Sequence, residues 1–173
     1  GEDFRFGAGA SGNADTIKQA THVRVAILPL LKIDQEKVSS RQIKSLLSQG
    51  KMETAQEMLT HAFFLIGTVR KDRQVGRTIG FPTANIEYPK GKYPLKMGVY
   101  ETRVTYEGKT YKGITNYGAR PTFDNDKITT ETYLDGFNGD LYGKELKVEF
   151  IRYMRDITKF ENINALKKQL KKD

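Results

Sequence analysis

Gly98-Val99-Tyr100-Glu101-Thr102-Arg103-Val104-Thr105-Tyr106 and Lys109-Thr110-Tyr111-Lys112-Gly113-Ile114-Thr115-Asn116-Tyr117 read as two strands joined at Glu107-Gly108. A two-residue link ending in glycine between such runs signals a β-hairpin. Working outward, further strands are expected over residues 63–69, 127–135 and 144–153. Gly136, Gly139 and Gly143 punctuate the loop between the last two. Strands at short spacing, with no helices between them, predict an antiparallel barrel. After the last strand, Asn162 is placed to cap a helix whose apolar stripe is Ile163, Leu166 and Leu170.

Upstream of His61 the character differs. Residues 1–15 contain four glycines among small residues and read as a loop. Residues 23–31, Val-Arg-Val-Ala-Ile-Leu-Pro-Leu-Leu, begin with apolar alternation and are expected to form a short strand. Ser39 or Ser40 caps a helix with Ile43, Leu46 and Leu47 on one face, ending at Gly50. A second helix is expected near residues 52–60, presenting Met52, Ala55, Met58 and Leu59. This first third is α/β in kind.

The chain has 173 residues, 38% of them hydrophobic, which suffices for one ordinary domain and a small appendage. It has no cysteine, which excludes a disulfide framework and a thiolate metal site. No apolar run approaches a membrane span and no signal sequence opens the chain, so a cytoplasmic protein is expected. A first residue Gly1 suggests a piece of a longer chain. The net charge of +8 suits anionic partners, from nucleotides to nucleic acid. Part of it sits at Lys167, Lys168, Lys171 and Lys172, which read as a solvated helix end. Zinc-finger spacing and an RNA-recognition aromatic signature are both missing, which makes nucleic acid the weaker partner class.

The chemistry concentrates in Gly76-Arg77-Thr78-Ile79-Gly80-Phe81-Pro82-Thr83-Ala84-Asn85. The glycines allow close backbone approach to a ligand, and Arg77 brings a fixed positive charge. Pro82 stiffens the entry to Thr83. In extended backbone Thr83 and Asn85 point to the same side. Two neutral oxygens beside a Gly-rich turn and an arginine suit a magnesium–nucleotide complex, whose phosphates supply the negative charge. The same string also fits a strand with two solvent-facing polar residues. Glu131, in Thr-Thr-Glu-Thr-Tyr-Leu-Asp, is either a solvated strand carboxylate or a general base beside a hydroxyl acceptor. His22 and His61 read as structural.

From about residue 62 to the end, the chain resembles the riboflavin kinase domain of bacterial bifunctional riboflavin kinase/FMN adenylyltransferases (FAD synthetases). The matching segments are Gly67-Thr68-Val69, the run Gly76 to Asn85, Gly98-Val99-Tyr100, Asn116-Tyr117-Gly118-Ala119-Arg120-Pro121-Thr122-Phe123, Glu131-Thr132, Leu141-Tyr142-Gly143, and Arg155 through Lys159-Phe160. Upstream, Asp3-Phe4-Arg5-Phe6-Gly7, Gly12-Asn13-Ala14-Asp15 and Val38-Ser39-Ser40-Arg41-Gln42-Ile43-Lys44 resemble parts of the family's adenylyltransferase domain. That domain's His-x-Gly-His motif and its first strands are not in this sequence.

The resemblance implies a mainly β fold. A six-stranded antiparallel riboflavin-kinase-like barrel with a C-terminal helix would occupy residues 61–173. An α/β remnant of a nucleotidyltransferase domain would occupy residues 1–60. It implies transfer of the ATP γ-phosphoryl group to the riboflavin 5′-hydroxyl, giving FMN, with Mg²⁺ as cofactor, ATP and riboflavin as small-molecule partners, and no membrane. Glu131 would be the base. Gly76, Arg77, Thr83, Asn85 and Tyr142 would bind ATP, with Thr83 and Asn85 also orienting the metal. Arg155 and Phe160 would contact the flavin. Adenylyl transfer is not expected from these residues alone. One departure is Asp72, in Arg70-Lys71-Asp72-Arg73, where the family usually has glycine in a phosphate-covering loop. It leaves open a flavin- or nucleotide-binding regulatory module with impaired turnover. The +8 charge leaves open an RNA- or nucleotide-binding barrel.

Overall fold

The computed structural model describes residues 1–71, 83–119 and 128–158. Contacts divide the chain into two compact units between Gln42 and Ile43.

In the first unit, Phe6 and Gly12 pair around a 3₁₀ turn at Ala8–Ala10. Helix α1 (Ala14–Ala20) follows directly. Asn13 caps it: its Oδ1 accepts from the Asp15 and Thr16 N–H groups at 3.0 Å, and Thr16 Oγ1 accepts from the Asn13 N–H at 3.2 Å. The loop expected over residues 1–15 thus gives way to a helix in its last positions. Strands β1 (Lys32–Ile33) and β2 (Glu36–Lys37) form a minimal hairpin through Asp34 and Gln35, both at positive φ.

The strand expected over residues 23–31 is not formed. Pro29 has no N–H to give to a ladder. The apolar residues Val23, Leu28 and Leu31 are 69%, 69% and 65% exposed, so within the first unit their alternation faces no surface it could bury. The segment is held instead by the Glu2 N–H donating to the Leu28 carbonyl.

The second unit begins within helix α2 (Ser40–Gln49), which buries Leu46 and Leu47. Gly50 follows at a φ of 77°, and helix α3 (Met52–Leu59) buries Met52, Ala55 and Met58. Both helices lie where the sequence places them. The apolar face of α3 packs on two strands of the sheet, β3 (Phe63–Thr68) and β8 (Glu145–Arg155).

The sheet has six strands. The other four are β4 (Thr83–Glu87), β5 (Gly98–Tyr106), β6 (Lys109–Ala119) and β7 (Ile128–Leu134). The order is β3-β8-β5-β6-β7-β4, and every pairing is antiparallel. Strands β5 and β6 turn through Glu107 and Gly108, at φ of 47° and 75°. Positive φ at both central residues matches the natural twist of a hairpin. The sheet curls until its ends meet: just past β3, the Arg70 N–H donates to the Asn85 carbonyl of β4 at 2.8 Å. The expected six-stranded antiparallel barrel is therefore present. The C-terminal helix expected from Asn162 lies outside the described residues.

Leu65, Ile86, Val104, Leu146, Val148 and Phe150 fill the interior, with Tyr100 and Tyr117 among them. The tyrosine hydroxyls pin the loop between β4 and β5. Tyr88 donates to the Tyr93 carbonyl, Tyr100 donates to the Lys96 carbonyl, and Tyr117 accepts from the Leu95 N–H at 3.2 Å. Burial pushes the Tyr88 and Tyr100 phenols well above their ordinary pKa, so both stay protonated donors.

The interior also holds a line of hydroxyls. Thr115 Oγ1 lies 2.9 Å from both Thr102 Oγ1 and Thr132 Oγ1, and all three side chains are buried. The Thr130 hydroxyl donates to the Ile86 carbonyl at 3.0 Å. Thr115→Val keeps the shape but removes a partner from both neighbours. It is expected to lower stability by about 1–3 kcal/mol. Urea unfolding would show a lower midpoint at an unchanged slope, whereas an unshifted midpoint would mean that Thr102 and Thr132 find other partners.

Candidate active site

The polar corner of the site lies on the outer face of the β4–β7 pair and follows from strand alternation. Ala84 and Ile86 of β4 are buried inside, which turns Thr83, Asn85 and Glu87 outward. Thr130, Thr132 and Leu134 of β7 are buried inside, which turns Thr129, Glu131 and Tyr133 outward. In the ladder Asn85 stands opposite Glu131, and Thr83 opposite Tyr133. Directly opposed residues share a face, with Cβ atoms about 4.5–5.5 Å apart. Thr83, Asn85 and Glu131 are thereby brought together, although Glu131 is distant in sequence.

The surroundings fix this corner. The Asn85 side-chain amide donates to the Thr83 carbonyl at 3.4 Å, which orients it. Arg70 pairs with Glu87 at 2.7 Å, beside the hydrogen bond that joins β3 to β4. A cleft of about 470 Å³ opens here, lined by Thr83, Asn85 and Tyr142 together with Val69, Leu134, Phe137 and Leu141. That volume lies in the usual range for small-molecule sites.

The loop between β7 and β8 forms the opposite wall. It is tied to the end of β3 twice, by the Gly143 N–H donating to the Val69 carbonyl and the Val69 N–H donating to the Lys144 carbonyl, each at 2.9 Å. The Tyr142 N–H donates to the Asp140 carboxylate at 2.9 Å, which sets the ring at the cleft. The Lys71 ammonium lies 5.8 Å from the centre of that ring. The cleft thus offers an apolar, aromatic wall that also carries the Asp140 carboxylate on one side and neutral oxygens on the other, with a cation at its edge. The sequence marks Tyr142 as a site residue and holds Val69 and Leu141 only within family-matching segments, while Leu134 and Phe137 were missed. The glycine-punctuated loop was the available signal for Phe137.

Thr83 and Asn85 supply neutral oxygen donors. Among the described residues no group of three or more His, Cys, Asp or Glu is placed to hold a metal ion. This donor set fits a hard divalent ion that arrives with a polyphosphate, not one held by a cage of carboxylates.

On the far side of Glu131, the lateral row of paired residues continues. Glu131 stands opposite Asn116, Asn116 opposite Val99, and Val99 opposite Arg155. At about 4.8 Å per strand, Arg155 is roughly 14 Å from Glu131 along the row. The end of β8 is anchored. The Tyr153 hydroxyl donates to Asp156 Oδ1 at 2.6 Å, and Lys96 Nζ reaches the same oxygen at 3.4 Å while lying 4.1 Å from the Tyr153 ring centre. The Tyr153 hydrogen bond, then Lys96, holds the Asp156 carboxyl below its usual range. Gly98 makes room for this arrangement: a Cβ there would lie 2.4 Å from the Tyr153 ring. Gly76, Arg77, Phe160 and the departure at Asp72 all lie outside the described residues.

The family model for flavokinase (riboflavin kinase) matches residues 59–173, a span that contains all six strands of the barrel. This chain belongs to the riboflavin kinase family. A bifunctional riboflavin kinase/FMN adenylyltransferase of Mycoplasma pneumoniae is 36% identical over 173 residues, covering 100% of this chain and 61% of that protein. A trifunctional protein RibF/MnmA of Mycoplasmoides gallisepticum is 35% identical, again over 100% of this chain but only 25% of its own length. The chain therefore spans about three fifths or less of these relatives. A solved structure described as a macrolide-efflux protein from Streptococcus pneumoniae is 31% identical, with a TM-score of 0.90, covering 99% of this chain and 56% of that one. Among the described residues no helix is long and apolar enough to cross a membrane.

Proposed function

We propose that this chain transfers the γ-phosphoryl group of ATP to the 5′-hydroxyl of riboflavin, giving FMN and ADP. The observation that carries the reading is the register of Asn85 against Glu131 at the edge of the Thr83–Tyr142 cleft. It sets a carboxylate beside a nucleotide-sized cleft, on the side from which the row runs toward Arg155. Phosphoryl transfer depends mainly on positioning and charge stabilisation.

In this reading the apolar wall with Tyr142 takes the adenine nucleotide, and Gly76 and Arg77 contact its phosphates. Thr83 and Asn85 would hold Mg²⁺. When bound, that ion neutralises charge on the transferring phosphoryl oxygens. Glu131 accepts the hydroxyl proton as the riboflavin oxygen bonds to the γ-phosphorus and the bond to the ADP oxygen breaks. Arg155 and Phe160 hold the flavin ring. We further assign residues 1–60 to the C-terminal part of an adenylyltransferase domain and residues 61–173 to the kinase domain of a bifunctional enzyme. The family match beginning at residue 59 supports the start of the kinase domain, and alignment of the residues before it with bifunctional relatives supports their assignment, although by contacts helix α3 packs with the barrel. A cytoplasmic setting supplies both substrates.

The direct test is incubation with riboflavin, ATP and Mg²⁺, with chromatographic detection of FMN. Absence of FMN under saturating substrates would defeat the reading. Thr83→Ala is expected to raise the KM for Mg²⁺–ATP about tenfold or more, the worth of one hydrogen bond to a charged group. Its thermal midpoint should be nearly unchanged, because Thr83 faces outward. A large midpoint drop with unaltered ATP kinetics would instead make Thr83 a structural residue.

A further inference from the structure

The row Asn85–Glu131–Asn116–Val99–Arg155 crosses five adjacent strands on the outer face of the barrel. Four of its members have been discussed or are apolar. Asn116 is neither. Its neighbours along β6, Thr115 and Tyr117, are buried inside, and Asn116 itself is exposed on the outer face. It stands directly opposite Glu131, on the side away from Asn85 and the nucleotide cleft.

A second observation shows what lies beyond it. A Cβ on Gly118, two residues further along the same face of β6, would lie 2.6 Å from Ile157 Cδ1. The segment after β8 therefore folds over the outer face of β6 beside Asn116. Asn116 is bounded by Glu131 on one flank and by the stretch Arg155 to Ile157 on the other.

We infer that Asn116 is a substrate-binding residue that recognises the polyol chain of the flavin. The inference rests on the reading of this site as a riboflavin kinase. A substrate whose terminal hydroxyl sits at Glu131 and whose ring sits at Arg155 must lay its hydroxylated chain across the position of Asn116. A carboxamide suits that chain, because it donates through nitrogen and accepts through oxygen, and each hydroxyl does both. Val99, the next residue on the row, has no polar side-chain atom. Along this row Asn116 is thus the single side chain between Glu131 and Arg155 able to fix the order of the hydroxyls.

The test compares two ligands and two variants. Riboflavin carries the polyol; lumiflavin has the same ring with a methyl group in its place. Fluorescence titration of Asn116→Ala and of the isosteric Asn116→Asp should show riboflavin binding weakened about five- to tenfold. Lumiflavin affinity and the KM for ATP should stay within about twofold of wild type. Retained lumiflavin binding also reports a folded site. Equal weakening of both flavins, or unchanged riboflavin binding by a wild-type-like variant that still makes FMN, would overturn the assignment of Asn116 alone. Wild-type protein that binds neither riboflavin nor ATP would overturn the reading of the site, and this inference with it.

Discussion

Glu131→Gln is expected to lower FMN formation about 10²–10⁴-fold, the usual contribution of a general base. The amide keeps the size of the carboxylate and its place opposite Asn85 and Asn116, but it does not accept the hydroxyl proton. Riboflavin and ATP affinities should be close to wild type, because neither the apolar wall of the cleft nor the anchored end of β8 is touched. The measurement is a single-turnover assay with both substrates bound, alongside a fluorescence titration of the flavin. A rate loss below about tenfold with binding intact would remove Glu131 from the role of base. A loss of flavin binding equal to the loss of rate would make it a binding residue instead.

That pairing of Glu131 with Asn85 was half legible in the sequence. Period-2 alternation was enough to place Thr83 and Asn85 on one face, and a glycine-terminated link between two strand-like runs was enough for the β5–β6 hairpin. Which carboxylate would stand beside them depends on register, and register depends on which face of each strand is buried. Strand β7 conceals this, because Thr129, Thr130, Glu131, Thr132 and Tyr133 put polar atoms on both faces. Its inward face became recognisable only with the buried hydroxyl line from Thr102 through Thr115 to Thr132.

The misread segment errs in the other direction. Residues 23–31 carry an alternation that resembles a strand, but alternation stabilises a strand only where a partner and a surface are present. Helix α1 escaped notice because it buries no side chain and is held by the Asn13–Thr16 cap, so no apolar stripe marks it. Its signal was the cap residue at the end of a glycine-rich run.

The second large effect is expected at Phe150. Its ring is fully buried where β8 lies between β3 and β5. It meets Tyr100 edge-on at 5.2 Å and 90°, Tyr117 at 6.3 Å and 86°, and Phe63 at 6.3 Å. Phe150→Ala removes the shared partner of three rings from three different strands, and a closed sheet cannot collapse around the void without shifting its ladder. The expected cost is about 3–5 kcal/mol, a large share of the roughly 5–15 kcal/mol that holds a domain together. The thermal midpoint should fall on the order of 10 °C or more. FMN formation should fail well below the wild-type melting range, since Tyr153 and Arg155 are carried by the same strand. Tyr111→Ala serves as the comparison. Tyr111 is half-buried and meets Phe137 at 5.5 Å in a cluster with Tyr106 at the hairpin end of β5 and β6, so its loss should cost distinctly less. If calorimetry found the two variants equally destabilised, the aromatic interior around Phe150 would not be the centre of the barrel's stability.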